Sequence, residues 1–286
     1  MIRALLILLA LGTAAHAAAQ EVKAVATFSI AADMVERVAG DRVTLTTLVA
    51  PDADAHVFEP TPAHARALGQ ARIVFLNGLG FEPWLDRLMK STGSRATRVR
   101  LTAGVKARVF SAGDHDEHDG HHHAADPHAW QDVRNALIYV RNTANALVAA
   151  DPANSAFYKA NAAAYATELR ALDAEIRAAF AKVPKRQRRV ITSHDAFGYF
   201  AEAYDVEFIA PLGLSTDAQA SAKGVARLIE QIKREKITAV FVENITDPRL
   251  IEQIARETGA KVGGKLYSDA LSTKAGPAPT DVAMMR

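Results

Sequence analysis

From Ala153 to about Lys182 the chain repeats apolar residues at helical spacing: Phe157, Ala160, Ala164, Leu169, Leu172, Ile176 and Phe180. Alanine and other strong helix formers dominate the stretch. Asp151-Pro152 starts it and Val183-Pro184 ends it. At 1.5 Å per residue such a helix runs ~45 Å, longer than one small lobe is wide. It reads as a connection between two bodies, and 286 residues are enough for two domains at ~150 residues each.

The flanking segments alternate strand and helix patterns. On the N-terminal side, strands are expected at Val22–Phe28, Val43–Val49 and Arg72–Leu76. Helices are expected at Ala31–Val38, Pro62–Leu68, Phe81–Lys90 and Trp130–Ala149. On the C-terminal side, strands at Arg189–Thr192, Val206–Ile209, Ala239–Glu243 and Val262–Tyr267 alternate with helices at Phe197–Tyr204, Lys223–Glu235 and Leu250–Thr258. This order predicts the α/β class, with two Rossmann-like parallel lobes joined by one long backbone helix. The expected division is a leader over 1–19, an N-terminal lobe over 20–150, the linking helix over 151–184 and a C-terminal lobe over 185–286.

The leader combines Arg3, an apolar run from Ala4 to Gly12, and small residues from Thr13 to Ala19. That is the pattern of a cleaved secretory signal peptide; the run is too short to span a bilayer, which takes ~20 apolar residues. The mature protein is therefore expected in the periplasm. Losing Arg3 leaves 33 basic against 32 acidic residues, a balance with no electrostatic footprint for nucleic acid. With no cysteine in the chain, disulfides, thiolate metal sites and a cysteine nucleophile are excluded. Any metal must be held by histidine and carboxylate.

Four loops carry such residues: PDADAHVFEP with His56, DPHAW with His128, SHDAFGYF with His194, and LYSDAL with Asp269. His56, His194 and Asp269 each follow an expected strand, and ligands in open α/β sheets bind beyond the carboxyl ends of strands. The four are expected to converge in the cleft between the lobes. Three imidazoles and a carboxylate suit a borderline divalent cation. Four protein ligands complete a tetrahedral shell and leave no place for activated water, which favours a carrier over a zinc-dependent hydrolase. No H-E-x-x-H or G-x-S-x-G pattern occurs.

The motifs PDADAHVFEPTP, DPHAWQD, SHDAFGYF and LYSDALS, in that order, strongly resemble the binding proteins of zinc and manganese ABC importers, the ZnuA/TroA-type cluster. With ENITDPRL and DVAMM the pattern is most similar to a zinc-binding branch. The resemblance covers nearly the whole mature chain. It implies a metal in the interlobe cleft held by His56, His128, His194 and Asp269, a membrane permease with its ATPase as partner, and no enzyme activity. A periplasmic zinc chaperone is a further expected partner, and the protein is expected to be a monomer. Histidine at position 194, where some manganese relatives carry a carboxylate, favours Zn²⁺, with Mn²⁺ as the alternative. Relatives usually continue with a final helix beyond the Met284-Met285-Arg286 end; Thr280-Asp281 is expected to cap its first turn. One stiff linking helix is expected to allow only a small opening of the lobes.

Residues Gly113 to Asp126 (GDHDEHDGHHHAAD) have no apolar side chain larger than alanine and cannot build a core. His115, His118, His121, His122 and His123 make this loop either an auxiliary zinc collector or a solvated spacer. Asp126 and Asp195, beside ligands, are expected to fix an imidazole tautomer. Glu59 is expected to cap or pair near the following helix, and Glu243 and Asn244 to serve buried structural roles. His64 is expected at the surface, Trp130 and Phe197 around the site, and the run Lys185, Arg186, Arg188, Arg189 in a solvated turn.

Overall fold

The computed structural model describes residues 21–109, 125–217 and 220–286. The leader and His115, His118, His121, His122 and His123 lie outside the described residues. The N-terminal lobe contains β1 (Val22–Phe28), α1 (Ser29–Ala39), β2 (Val43–Val49), α2 (Pro62–Gln70), β3 (Ile73–Leu76), α3 (Leu85–Thr92), β4 (Thr97–Arg100) and α4 (Val133–Ala150). The long helix is α5 (Ser155–Ala181), ~40 Å at 1.5 Å per residue. The second lobe contains β5 (Arg189–Ile191), α6 (Gly198–Tyr204), β6 (Glu207–Ile209), α7 (Ala222–Glu235), β7 (Ala239–Glu243), α8 (Arg249–Thr258) and β8 (Lys261–Leu266). A last turn, α9 (Asp281–Met285), is capped by Thr280, whose hydroxyl accepts the Ala283 N–H.

Each lobe is built on a four-stranded sheet, ordered β2-β1-β3-β4 and β6-β5-β7-β8. Every described pairing in them is parallel. Parallel strands are covered by helices and read as continuous apolar runs, and β3 (IVFL) is buried at every residue. Strand β4 (TRVR), absent from the sequence-based expectation, lies at the sheet edge with three of its four residues exposed. The order places β1 and β5 inside their sheets, with chain leaving to either side, so a crevice opens beyond the strand ends.

Two separate hydrophobic cores result. The larger joins the first sheet to α1, α4 and α5 and includes Phe28, Met34, Tyr139 and Leu169. The smaller, with Ile191, Leu228, Ile232, Val240, Ile251 and Ile254, seals α7 and α8 onto one face of the second sheet. Helices α7 and α8 show why: their buried residues, Leu228, Ile229 and Ile232, and Ile251, Ile254 and Ala255, recur three or four apart. Two features cross the sequence order. Tyr199, Ala203 and Tyr204 of α6 pack into the larger core, as do Leu271, Val282 and Met285 from beyond β8.

Candidate metal centre

His56 stands in the loop after β2, its backbone N–H donating to Asp54 Oδ1 at 2.8 Å. His128 precedes α4, in a segment tied down by Asn77 Nδ2, which donates to the Pro127 carbonyl at 2.8 Å. His194 follows β5 and Asp269 follows β8. Strand ends from both sheets thus meet, and one ligand atom from each residue lies within 4.8 Å of all the others. Asp269 Oδ2 is 2.9 Å from His56 Nε2 and 3.1 Å from His194 Nε2. Its Oδ1 is 3.5 Å from His128 Nε2. Donors at ~2.0–2.1 Å from a tetrahedral zinc are about 3.4 Å apart, so these separations suit such an ion. His128 Nε2 and Asp269 Oδ1 are buried without a hydrogen-bond partner, a costly state unless something polar joins them.

The imidazoles are aimed by carboxylates. Asp126 Oδ1 accepts from the backbone N–H of His128 at 3.0 Å and from its Nδ1 at 2.8 Å. A carboxylate only accepts, so Nδ1 carries the proton and Nε2 is left free toward the centre. Arg108 holds the other Asp126 oxygen and also pairs with Glu202. Gly198 makes room for that guanidinium, which a Cβ there would overlap. Glu243, at the end of β7, accepts the N–H groups of Ser193 and His194 at 2.7 and 2.9 Å. Its other oxygen is 2.6 Å from His194 Nδ1. That contact lacks hydrogen-bond alignment and acts as an ion pair.

Asp195, expected to share this orienting role, does not touch an imidazole ligand through a hydrogen bond; its backbone N–H donates to the Gly213 carbonyl. Adjacency in sequence pointed to Asp195, whereas the strand neighbour Glu243 reaches the ring from β7. Phe197 stacks on Phe208 and lines an apolar cavity of about 340 Å³ beside the end of α5, away from the four residues. Trp130 does pack at the site: with Phe28 and Phe81 it forms an aromatic triangle with centroids 4.8 to 5.0 Å apart. Phe81 and Trp130 meet the edges of His56 and His128 at 5.2 and 5.4 Å, which keeps water out. Glu59 is exposed and outside the cluster. His64 and Thr61 form a reciprocal capping box at the start of α2. In the basic run, Lys185 and Arg188 pair with Asp205, and Arg189 with Glu207 and Glu235.

His128, His194 and Asp269 are fully buried, and His56 nearly so. Burial opposes charge on His128, but Asp269 and the Asp126 hydrogen bond outweigh it and lift its pKa to about 9. The same contest, with Glu243 and Asp269 prevailing, raises His194 well above the usual imidazole range. Burial would raise Asp269, but His128 and His194 hold it well below the usual carboxylate range. Without a metal, the cluster sets the Asp269 carboxylate against the raised imidazoles of His128 and His194. A divalent cation supplies the same positive charge at one point, and Asp126, Glu243 and Asp269 together favour it there.

The profile of a family described as zinc-uptake complex component A, periplasmic (ZnuA), matches residues 24–286. The iron-binding protein YfeA of Yersinia pestis is 34% identical over 267 residues, 93% of this chain and 84% of that protein. The manganese ABC transporter substrate-binding lipoprotein PsaA of Streptococcus pneumoniae is 29% identical, over 96% of this chain and 89% of its own. Among solved structures, the periplasmic zinc-binding protein TroA of Treponema pallidum superposes with TM-score 0.83 at 27% identity, covering 93% of this chain and 95% of that one. A Mn-bound periplasmic metal-binding protein mutant from Candidatus Liberibacter asiaticus superposes with TM-score 0.83 at 30% identity, covering 93% and 96%.

Proposed function

This chain belongs to the ZnuA family of periplasmic metal-uptake components, and from that premise we propose that it captures Zn²⁺ and hands it to an ABC permease and its ATPase. Family members and their fold serve as binding components of importers, not as enzymes. In this reading His56, His128, His194 and Asp269 are the ligands, the ion is cargo, and residues 1–19 are the export leader that delivers the chain to the periplasm. The division into an N-terminal lobe, linking helix and C-terminal lobe at residues 150 and 184 belongs to the same reading.

The observation that carries it is the convergence of three imidazole nitrogens and one carboxylate within 4.8 Å in a buried pocket. Imidazole-rich sites suit zinc, whereas oxygen-rich sites suit manganese. One feature favours the manganese reading: Asp269 Oδ1 is free of hydrogen bonds beside the cluster. Binding through both its oxygens would give five donors, beyond the tetrahedral number of structural zinc sites.

The test is metal content and chelator competition on the mature protein, with Zn²⁺ and Mn²⁺ offered together. One tightly held Zn²⁺ per chain, weakened at least ~100-fold by His194→Ala, is the expected result for loss of one ligand in four. Preference for Mn²⁺ moves the protein to the manganese branch. An unchanged affinity in His194→Ala places the tight site elsewhere.

A further inference from the structure

Charge is spread unevenly along the chain. From Pro62 to Arg100 there are seven basic residues and two acidic ones, whereas the mature chain as a whole is nearly balanced. The fold gathers these bases on one side of the first lobe. Helices α2 and α3 pack beside each other, and the Ser94 hydroxyl after α3 donates to the Leu68 carbonyl of α2 at 2.9 Å. They turn Leu68, Leu85, Leu88 and Met89 into the larger core. At about 100° per residue, Arg66, Arg87 and Lys90 then project from the opposite side, and all three are exposed. Arg95, exposed in the turn after α3, continues the row toward β4 at the sheet edge. Val99 packs against the core, so Arg98 and Arg100 share the other face of that strand. Arg98 pairs with Asp86 of α3, which puts that face on the α3 side. Glu82, the second acid of the segment, is taken up by Thr27 Oγ1 and the N–H groups of Asn77 and Gly78. Among the described residues, Arg66, Arg87, Lys90, Arg95 and Arg100 have no ion-pair partner.

We propose that this α2–α3–β4 face is a docking surface for the anionic headgroups of a phospholipid membrane, holding the first lobe side-on to the bilayer. Charge complementarity selects the partner. Exposed guanidinium and ammonium groups without carboxylate partners meet headgroup phosphates, and a guanidinium can hold a phosphate through two N–H groups. The lack of an apolar centre selects a lipid surface over a protein, because specific protein interfaces bury aromatic or aliphatic anchors inside a polar rim. The exposed large hydrophobic residues among the described ones are Val57, Val109 and Val262, and none of them belongs to α2, α3 or β4. The hold is therefore electrostatic, without insertion, and gives way to salt. Each basic residue at an anionic surface multiplies binding roughly fivefold, so five together reach on the order of a thousandfold. The two helices cover a face of the sheet, whereas the four cluster residues lie beyond strand ends and before α4. Docking by this face involves none of the four, so it gathers the chain at the membrane without covering the cluster.

The experiment is co-sedimentation of the full mature chain with vesicles of phosphatidylglycerol mixed with phosphatidylcholine, and with vesicles of phosphatidylcholine alone. Binding to the anionic vesicles is expected at ~0.05 M salt and its loss by ~0.5 M, with no binding to the neutral ones. Arg87→Gln combined with Lys90→Gln removes two charges from an exposed helix face that glutamine suits. Partition onto anionic vesicles is expected to fall about 25-fold. Lys223→Gln combined with Lys233→Gln makes the same charge change at exposed positions of α7. That pair is expected to keep partition within about twofold, because charges beyond a Debye length of the surface are screened. No binding to anionic vesicles, or binding that persists at high salt or on neutral vesicles, overturns the proposal. So does an unchanged Arg87→Gln, Lys90→Gln variant, or an equal loss in the two paired variants. Binding to soluble polyglutamate but not to vesicles overturns it in favour of an acidic protein partner.

Discussion

The two most buried imidazoles each carry a carboxylate on the nitrogen turned away from the cluster: Asp126 on His128 and Glu243 on His194. The Asp126 hydrogen bond fixes which nitrogen of His128 faces the cluster, and both carboxylates raise the affinity of the rings for protons. The two effects compete at working pH. His128 holds a proton up to about pH 9 in the metal-free cluster, and a metal must displace it. Affinity is therefore expected to rise with pH from 6 to 9, and binding to release protons. Calorimetry in buffers of different ionisation enthalpy reads that release; a proton count of zero at pH 7 would contradict the assignment. The four central residues were legible in the sequence because each sits in a polar loop beside a strand or helix boundary. Glu243 as the partner of His194 was not, since they lie 49 residues apart and parallel pairing alone brings β7 beside β5. Asp195 misled for the complementary reason: a chain neighbour shares a backbone with the ligand but not the direction of its side chain.

At the scale of elements, the short α9 is fastened by a buried carboxyl pair. The Asp281 N–H donates to Asp33 Oδ2 at 2.8 Å, and Tyr165 donates to Asp281 Oδ2 at 3.1 Å. Burial raises Asp33 to about 6, against the Asp281 N–H and Arg37. Burial and the Asp33 charge raise Asp281 to about 7, against Tyr165 and Arg37, while Glu168 adds to the rise. Folded pKa values above the unfolded ones mean that this stabilisation is complete below about pH 4 and is lost as pH rises through 6 to 7. Asp281→Asn removes one of the two titrations. It is expected to raise stability by ~2–3 kcal/mol more at pH 8 than at pH 5, seen as several degrees in melting temperature. Equal effects at both pH values would show that the carboxyl does not titrate. The Thr280 cap of this turn was readable from sequence, as were β1, β2 and β7 from their β-branched runs. Strand β4 was not, because Thr97-Arg98-Val99-Arg100 is a short, charged segment whose pairing depends on the exposed edge of β3. The start of α4 was placed early, since Ala129–Gln131 forms a tighter turn before the helix proper.

For the molecule as a whole, the separation into two cores matters more than the count of lobes. One long helix, side-chain brackets such as Arg108 with Asp126 and Glu202, and the packing of α6 and α9 on the larger core join the two lobes. Small tilts about such a joint are within reach of the fold, and large rotations would break the packing of α6 and α9 on the larger core. The burial of His128, His194 and Asp269 then has a kinetic meaning. An ion held among these residues would offer little open coordination to a competing chelator in solution, so its departure would wait for the protein to part. Metal loss is expected to speed up with chelator concentration only to a plateau, measurable by rapid mixing with a chromophoric chelator; a rate that climbs without limit would mean direct attack through the cleft. The plateau is the rate of opening itself. A permease that pries the bodies apart would thus act as a catalyst of release, raising a rate that the isolated carrier keeps low without needing to outbid it for the ion.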